Sequence, residues 1–224
     1  MSPKTNFKAV AFDMDGLMFN TEDVYWKAAS ALLGKRGHEY TPELCATVMG
    51  RTPQFCFELF KERFDYPETW QELQNESEDL FLEYLKDGYD MMPGLPVILN
   101  LLESRHIPKG VCTSSACRVV REVLRKDDVV KRFQFILTAE DIINGKPHPE
   151  IYQKAIQKFR VAPQEMLVLE DSVAGCRSAR AAGAFCVAVR AEHNQEADFD
   201  AAHLVVNSLD ASGLLALFDH YQTE

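Results

Sequence analysis

Six short apolar runs punctuate the chain, and the first four stop at polar residues. Val10-Ala11-Phe12 ends at Asp13, Ile107 to Cys112 leads into Thr113-Ser114-Ser115, and Phe133 to Leu137 is followed by Thr138. Met166 to Leu169 stops at Glu170-Asp171, and Phe185 to Val189 and Leu204 to Val206 complete the series. Runs this short and this continuously apolar fit strands buried on both faces, as in a parallel sheet. Between them the pattern takes a helical period, over residues 94–105, 115–127, 148–160 and 172–183. The last of these is rich in alanine and reaches Gly183, a residue suited to the left-handed position just past a helix end. Strands alternating with helices predict a doubly wound α/β domain.

Residues from about Glu22 to Asp90 break that rhythm and contain no convincing strand. Trp70, Leu73, Leu80, Phe81, Tyr84 and Leu85 share one helical stripe with Pro67 near its start, and Phe55, Leu59 and Phe60 mark a second amphipathic helix. The expectation is an all-helical insert over 21–90, following the first strand, with the α/β core formed by 1–20 and 91–224. The chain rejoins the core around Met91-Met92-Pro93-Gly94, and neither an internal repeat nor a low-complexity segment appears.

Composition narrows the partners. With 46% hydrophobic and 26% charged residues, the 224-residue chain has the balance of a globular protein with a substantial core. Its 24 basic and 34 acidic residues give a formal charge of −10, which argues against nucleic acid or an anionic membrane as main partner. A small anionic substrate stays open, because a few local cations and a metal reverse the sign inside one cleft. Lys4 and Lys8 flank a polar stretch with no signal-peptide core, and no run approaches the roughly 20 apolar residues of a membrane span. The six cysteines are scattered without a CxxC pair, so free thiols, a cytoplasmic location and, by default, a monomer are expected.

Ligands of open parallel sheets bind beyond the carboxyl ends of the strands. There the first strand delivers Asp13, Asp15 and Gly16, and the second Thr113, Ser114 and Ser115; Gly145-Lys146-Pro147 follows the third, and the fourth gives Glu170-Asp171-Ser172. Each group alone has an ordinary reading: a turn, a helix cap, a surface lysine, acidic residues favoured by a helix dipole. Together at one sheet edge, carboxylates, a lysine and hydroxyls are able to hold Mg²⁺ and a phosphate. A carboxylate approaching a phosphate meets ~4 kcal/mol of repulsion per unit pair of charges at about 4 Å and an effective dielectric of about 20. A divalent ion and a lysine offset it.

Four motifs carry a resemblance over nearly the whole chain: Phe12-Asp13-Met14-Asp15-Gly16-Leu17, Val111-Cys112-Thr113-Ser114-Ser115, the stretch from Gly145-Lys146-Pro147 to Tyr152, and Leu169-Glu170-Asp171-Ser172-Val173-Ala174-Gly175. In this order they resemble the haloacid dehalogenase superfamily, in the subgroup of β-phosphoglucomutase and many sugar-phosphate and nucleotide phosphatases. The resemblance implies a Rossmann-like core, a mobile helical cap and a small phosphorylated metabolite as substrate. It also implies that Asp13 attacks phosphorus to form an aspartyl-phosphate, while Asp15 protonates the leaving alcohol and later activates water. Gly16 lies against the phosphate site, and Thr113, the Ser114 amide and Lys146 hold the phosphoryl oxygens. Mg²⁺ would rest on Asp13, the Asp15 carbonyl and Asp171, with Glu170 nearby or ligating.

The competing reading is a phosphomutase, which uses a linker histidine and a cap lysine; Tyr25 and Met49 stand at those places here. An inert scaffold relative would have lost one of the four motifs. Dehalogenase chemistry dispenses with the second Asp, and a phosphonate hydrolase needs a cap lysine, for which only Lys27 or Lys35 offers. The chain has no phosphate-binding Walker loop, no zinc-ligand spacing and no Gly-x-Ser-x-Gly elbow. Specificity is expected from the cap, with Arg51 reaching the substrate's polar body or a second phosphate, Tyr25 contributing to the cleft and Trp26 serving packing. Asn20 stands where many relatives carry Asp.

Overall fold

A computed structural model describes residues 6–219, so Lys4 and His220 lie outside the described residues. Six strands form one parallel sheet: β1 (Ala9–Phe12), β2 (Lys109–Cys112), β3 (Ile136–Leu137), β4 (Met166–Glu170), β5 (Phe185–Val189) and β6 (Leu204–Val206). Their spatial order is β3-β2-β1-β4-β5-β6. The order turns back beside β1, the first strand in sequence and a central one in space. Phe12 pairs with Val111 on one side and Leu169 on the other, so three strands end level and present Asp13, Thr113 and Glu170 at one edge. A crevice at such a switch point is the ordinary ligand site of this architecture.

Both faces of the sheet are covered, which is why the strands read as continuous apolar runs. One face packs Val10, Phe12, Val111, Leu167 and Leu169 against α5 (Leu95–Ser104) and α6 (Cys117–Val123). The other sets Ala9, Ala11, Cys112 and Val168 against α7 (Glu150–Phe159) and α8 (Val173–Ala181). The Ser172 hydroxyl accepts from the Gly175 amide to cap α8, and Gly183 takes a left-handed φ of 81° beyond its end, as expected.

Between β1 and α5 the described chain forms helices and no strand: α1 (Glu22–Gly34), α2 (Pro42–Val48), α3 (Pro53–Phe64) and α4 (Trp70–Tyr84). Local sequence places their starts. Pro42 and Pro53 occupy first turns behind Thr41 and Thr52, and Thr69 with Glu72 forms a capping box worth about 1 kcal/mol. Thr69 therefore fixes the start of α4 at Trp70, three residues past Pro67. The insert leaves and returns through one doorway, where Phe19 bridges Met91, the Asn20 amide donates to the Asp90 carbonyl at 3.0 Å, and the Asn20 side chain accepts from the Asp90 amide at 2.5 Å.

Two sequence expectations shrink. The run from Phe133 to Leu137 yields only two strand residues, because β3 is an edge strand paired with β2 alone and Phe133 still closes a helical turn on Val130. The run from Ile107 gives a strand only from Lys109, since Pro108 has no amide to donate. Lys109 is buried within that strand and pairs with Glu103 at 2.9 Å. No described helix is long and apolar enough to cross a membrane.

Candidate active site

Asp13 follows β1, with its amide held by the Leu169 carbonyl at 3.0 Å and its side chain almost wholly buried. Lys146 reaches it from the loop before α7, where the Lys146–Pro147 peptide is cis. The same ammonium donates to Glu170 Oε1 at 2.6 Å and to the Cys112 carbonyl at 3.2 Å. Glu170 is saturated: Lys146 and the Tyr152 hydroxyl serve one oxygen, while the Ser172 hydroxyl and amide and the Asp171 amide serve the other. It therefore fixes Lys146 and the turn into α8.

Asp15 points the other way. Thr21 donates to its Oδ1 at 2.7 Å, and Ser115 and Thr113 donate to Oδ2 at 2.6 and 3.3 Å. Burial raises its pKa against the pull of these hydroxyls. Three donors thus aim an acid that burial biases toward its protonated form.

Asp171 meets His193 at 2.7 Å, and the Asn194 side chain donates to the Asp171 carbonyl at 2.9 Å. In the Nε2–H tautomer the ring donates to the carboxylate, and burial lowers the His193 pKa. Gly16 runs beneath this pair at φ 72°, and a Cβ there would stand 2.2 Å from Asp171 Oδ2 and 2.8 Å from His193 Nε2. Its role here is close approach and left-handed backbone in one position.

Carboxylate oxygens of Asp13, Glu170 and Asp171 lie within 4.8 Å of one another, and all three side chains are buried. Among the described residues Lys146 is the one Lys or Arg in contact with them, so negative charge is in excess. Burial pushes the Asp13 pKa well up; Lys146 opposes this, and Glu170 and Asp171 add to it. Burial and Glu170 likewise raise Asp171. Burial works against the charge on Lys146, but Asp13 and Glu170 outweigh it and hold the ammonium protonated. A hard divalent cation fits this donor set, because oxygen ligands with surplus negative charge are what Mg²⁺ selects.

A cavity of ≈ 160 Å³ opens above these groups, between the sheet edge and the helical insert. Asp13, Asp15, Thr113, Ser114 and Asp171 line its floor, and Arg51 lies in its wall with the guanidinium 3.9 Å from the centre of the Phe55 ring. Lys146, Glu170 and Gly16 stay behind the floor, outside the lining. The insert touches the floor directly: Tyr25 shares a 2.8 Å hydrogen bond with Ser115, and Ser114 donates to the Gly50 carbonyl at 3.0 Å. Trp26 packs on Tyr40 at 5.0 Å, away from the chemistry.

Sequence reasoning missed Thr21, His193, Asn194 and the role of Tyr152. Tyr152 lies within the third motif, one helical turn beyond His148, facing the sheet. His193 stands four residues past the end of β5, the strand next to β4, and a polar residue at that edge was the available signal.

Residues 10–189 match the family of haloacid dehalogenase-like hydrolases. A phosphorylated carbohydrates phosphatase from Thermotoga maritima is 31% identical over 180 residues, which cover 79% of this chain and 82% of that protein. The structure of CbbY from Rhodobacter sphaeroides in complex with phosphate superposes with a TM-score of 0.82 at 21% identity, covering 95% of this chain and 99% of that one. β-Phosphoglucomutase from Clostridium difficile gives 0.76 at 25% identity, covering 91% and 92%.

Proposed function

The chain belongs to the haloacid dehalogenase-like hydrolase family, and we propose that it is a Mg²⁺-dependent phosphatase of small phosphate monoesters, sugar-phosphate or nucleotide-like. The observation that carries this reading is the pairing of two aspartates in opposite settings at one cavity floor. Asp13 is bound to Lys146 beside two further carboxylates, and Asp15 is held by hydroxyls. One is placed to attack and the other to exchange a proton.

Asp13, Asp171 and the Asp15 carbonyl would hold the ion, with Glu170 behind them. Bound there, Mg²⁺ supplies positive charge that keeps Asp13 ionised and draws in the phosphate oxygens. The Asp13 carboxylate forms an O–P bond as the bond from phosphorus to the leaving alcohol breaks. Asp15 gives its proton to the departing oxygen. The Asp15 carboxylate then takes a proton from water, whose oxygen displaces Asp13 from phosphorus and releases inorganic phosphate. Lys146, Thr113 and the Ser114 amide hold the transferring oxygens.

Residues 21–90 act as a cap over a core of 1–20 and 91–224, enclosing the leaving group and excluding bulk water. Two placements favour water over a sugar as acceptor: Tyr25, in place of a linker histidine, is tied to Ser115, and Met49, in place of a lysine, lines the cavity. The protein acts as a cytoplasmic monomer, which six free thiols suit. Phosphate release from p-nitrophenyl phosphate tests the reading. Activity requires Mg²⁺, disappears with a chelator and falls roughly 10³-fold or more in Asp13→Asn. A metal-loaded wild type without turnover would refute it.

A further inference from the structure

The cavity above the catalytic floor has walls of an unusual make-up for a site that takes phosphorylated metabolites. Five aromatic rings line it, from Tyr25, Tyr40, Phe57, Phe60 and Phe81. Tyr25 and Phe81 stand with ring centres 4.4 Å apart at 41°, and Phe57 meets Phe60 at 5.8 Å edge to face, so the rings form a fixed surface. Hydroxyls turned toward these rings would lose water without gaining partners there. A flat carbon face would lose nothing.

Charge in the same walls points the same way. Among the described residues that line the cavity, Arg51 is the one cation, and it is stacked on Phe55. Against it stand Glu22 and Glu78. Glu78 is buried and accepts from Gln74 at 2.6 Å; Arg118 approaches it only to 3.9 Å while bound to Asp79 at 2.5 Å. A second phosphate or a carboxylate on the leaving group would enter a space already holding acidic groups. Donor groups, O–H or N–H, would find acceptors in Glu78 and Glu22.

We infer that the substrate is a monophosphate whose leaving group is an uncharged ring with an apolar face and hydrogen-bond donors, and that the site rejects bisphosphates and phosphocarboxylates. The inference rests on the phosphatase reading and names the substrate class of that site. It reverses the expected role of Arg51, which becomes a wall residue and not the anchor of a second phosphate. Nucleoside 5′-monophosphates and cyclic sugar monophosphates share this chemistry.

Competition calorimetry on Mg²⁺-loaded Asp13→Asn protein tests it without turnover. Phenyl phosphate should bind at least tenfold more tightly than 4-carboxyphenyl phosphate, and glucose 6-phosphate more tightly than glucose 1,6-bisphosphate. Adding Glu78→Gln, which preserves the shape and the bond to Gln74, should narrow the phenyl pair's ratio at least threefold. Uridine 5′-monophosphate against glucose 6-phosphate then tells the nucleoside from the sugar. Inhibition constants of the same esters against wild-type p-nitrophenyl phosphate hydrolysis should keep the same order. A ratio near one, a preference for the charged member of either pair, or a ratio unmoved by Glu78→Gln overturns the inference. Turnover of p-nitrophenyl phosphate by the wild type decides the phosphatase reading separately.

Discussion

At the scale of single residues, the site divides its carboxylates by what surrounds them. Asp13 and Asp15 are two positions apart, yet one meets an ammonium and the other three hydroxyls. Asp15→Asn keeps the size and most of the hydrogen-bonding capacity but removes the transferable proton. Its kcat should fall roughly 10²–10⁴-fold with rapid-quench traces showing slow leaving-group departure, while calorimetry finds Mg²⁺ affinity little changed. His193→Ala should do the reverse. It frees Asp171 from the one side-chain partner its carboxylate has among the described residues, and loss of such a support weakens metal binding about 10-fold or more, read directly as a shifted Mg²⁺ titration. The residues legible in sequence were those that recur as a compact motif. His193 and Asn194 were not, because each acts on Asp171 through a contact made only when distant segments meet, and Thr21 was not, because only the fold of the turn after β1 brings its hydroxyl back to Asp15.

Among elements, the strands and long helices were legible wherever burial on one or both sides imposed a period. Edge position defeated the reading at β3, where one neighbour sustains two residues of a longer apolar run. Capping set what apolar pattern could not: Thr69, not Pro67, starts α4. A similar local device holds the loop that carries Lys146. Glu150, in the first turn of α7, accepts from the amides of Ile143 and Asn144 at 3.0 and 2.8 Å and pairs with Lys154 at 2.9 Å. These donors, the Ile143 amide foremost, lower its pKa from 4.5 to about 2. A carboxyl depressed on folding stabilises fully above its unfolded value, and that contribution fades as pH falls from about 4.5 toward about 2. Glu150→Gln should therefore cost about 1–2 kcal/mol at neutral pH, and the gap to wild type in urea midpoints should narrow as the buffer is taken from pH 6 to pH 3. A constant gap would count against the ionised loop clamp.

The whole molecule is a fixed sheet edge facing a helical roof, and few polar ties join them. Arg118 on α6 grips Asp79 on α4 from the open side, with both side chains more than half exposed. Such a pair adds only about 0–1 kcal/mol to stability, so its effect belongs to the position of the roof. Arg118→Ala should leave the melting temperature within a degree or two of wild type and raise KM several-fold. Unchanged KM at low ionic strength would show that the tie does not bear on closure. The architecture and the floor of the site were readable from the chain because three motifs land at strand ends and the fourth in the loop before α7. The walls were not: the five rings that face the cavity come from three helices and the loop before α2, and in sequence they look like ordinary helix packing.

The clasp between Asn20 and Asp90 has one more consequence. Because the outgoing and returning strands of the insert are tied to each other where they leave the sheet, some seventy residues hang from a single stitched point. To the catalytic core this is one closed loop, whose closing entropy grows only slowly with its length. Cutting just beyond Thr21 and before Asp90, so that the Thr21 donor to Asp15 is kept, and grafting in a different helical bundle should leave Asp13, Lys146 and Asp15 in place. On the proposed reading the insert would then serve as a detachable recognition module, and new substrates would be reachable without touching the residues proposed to break the phosphate bond.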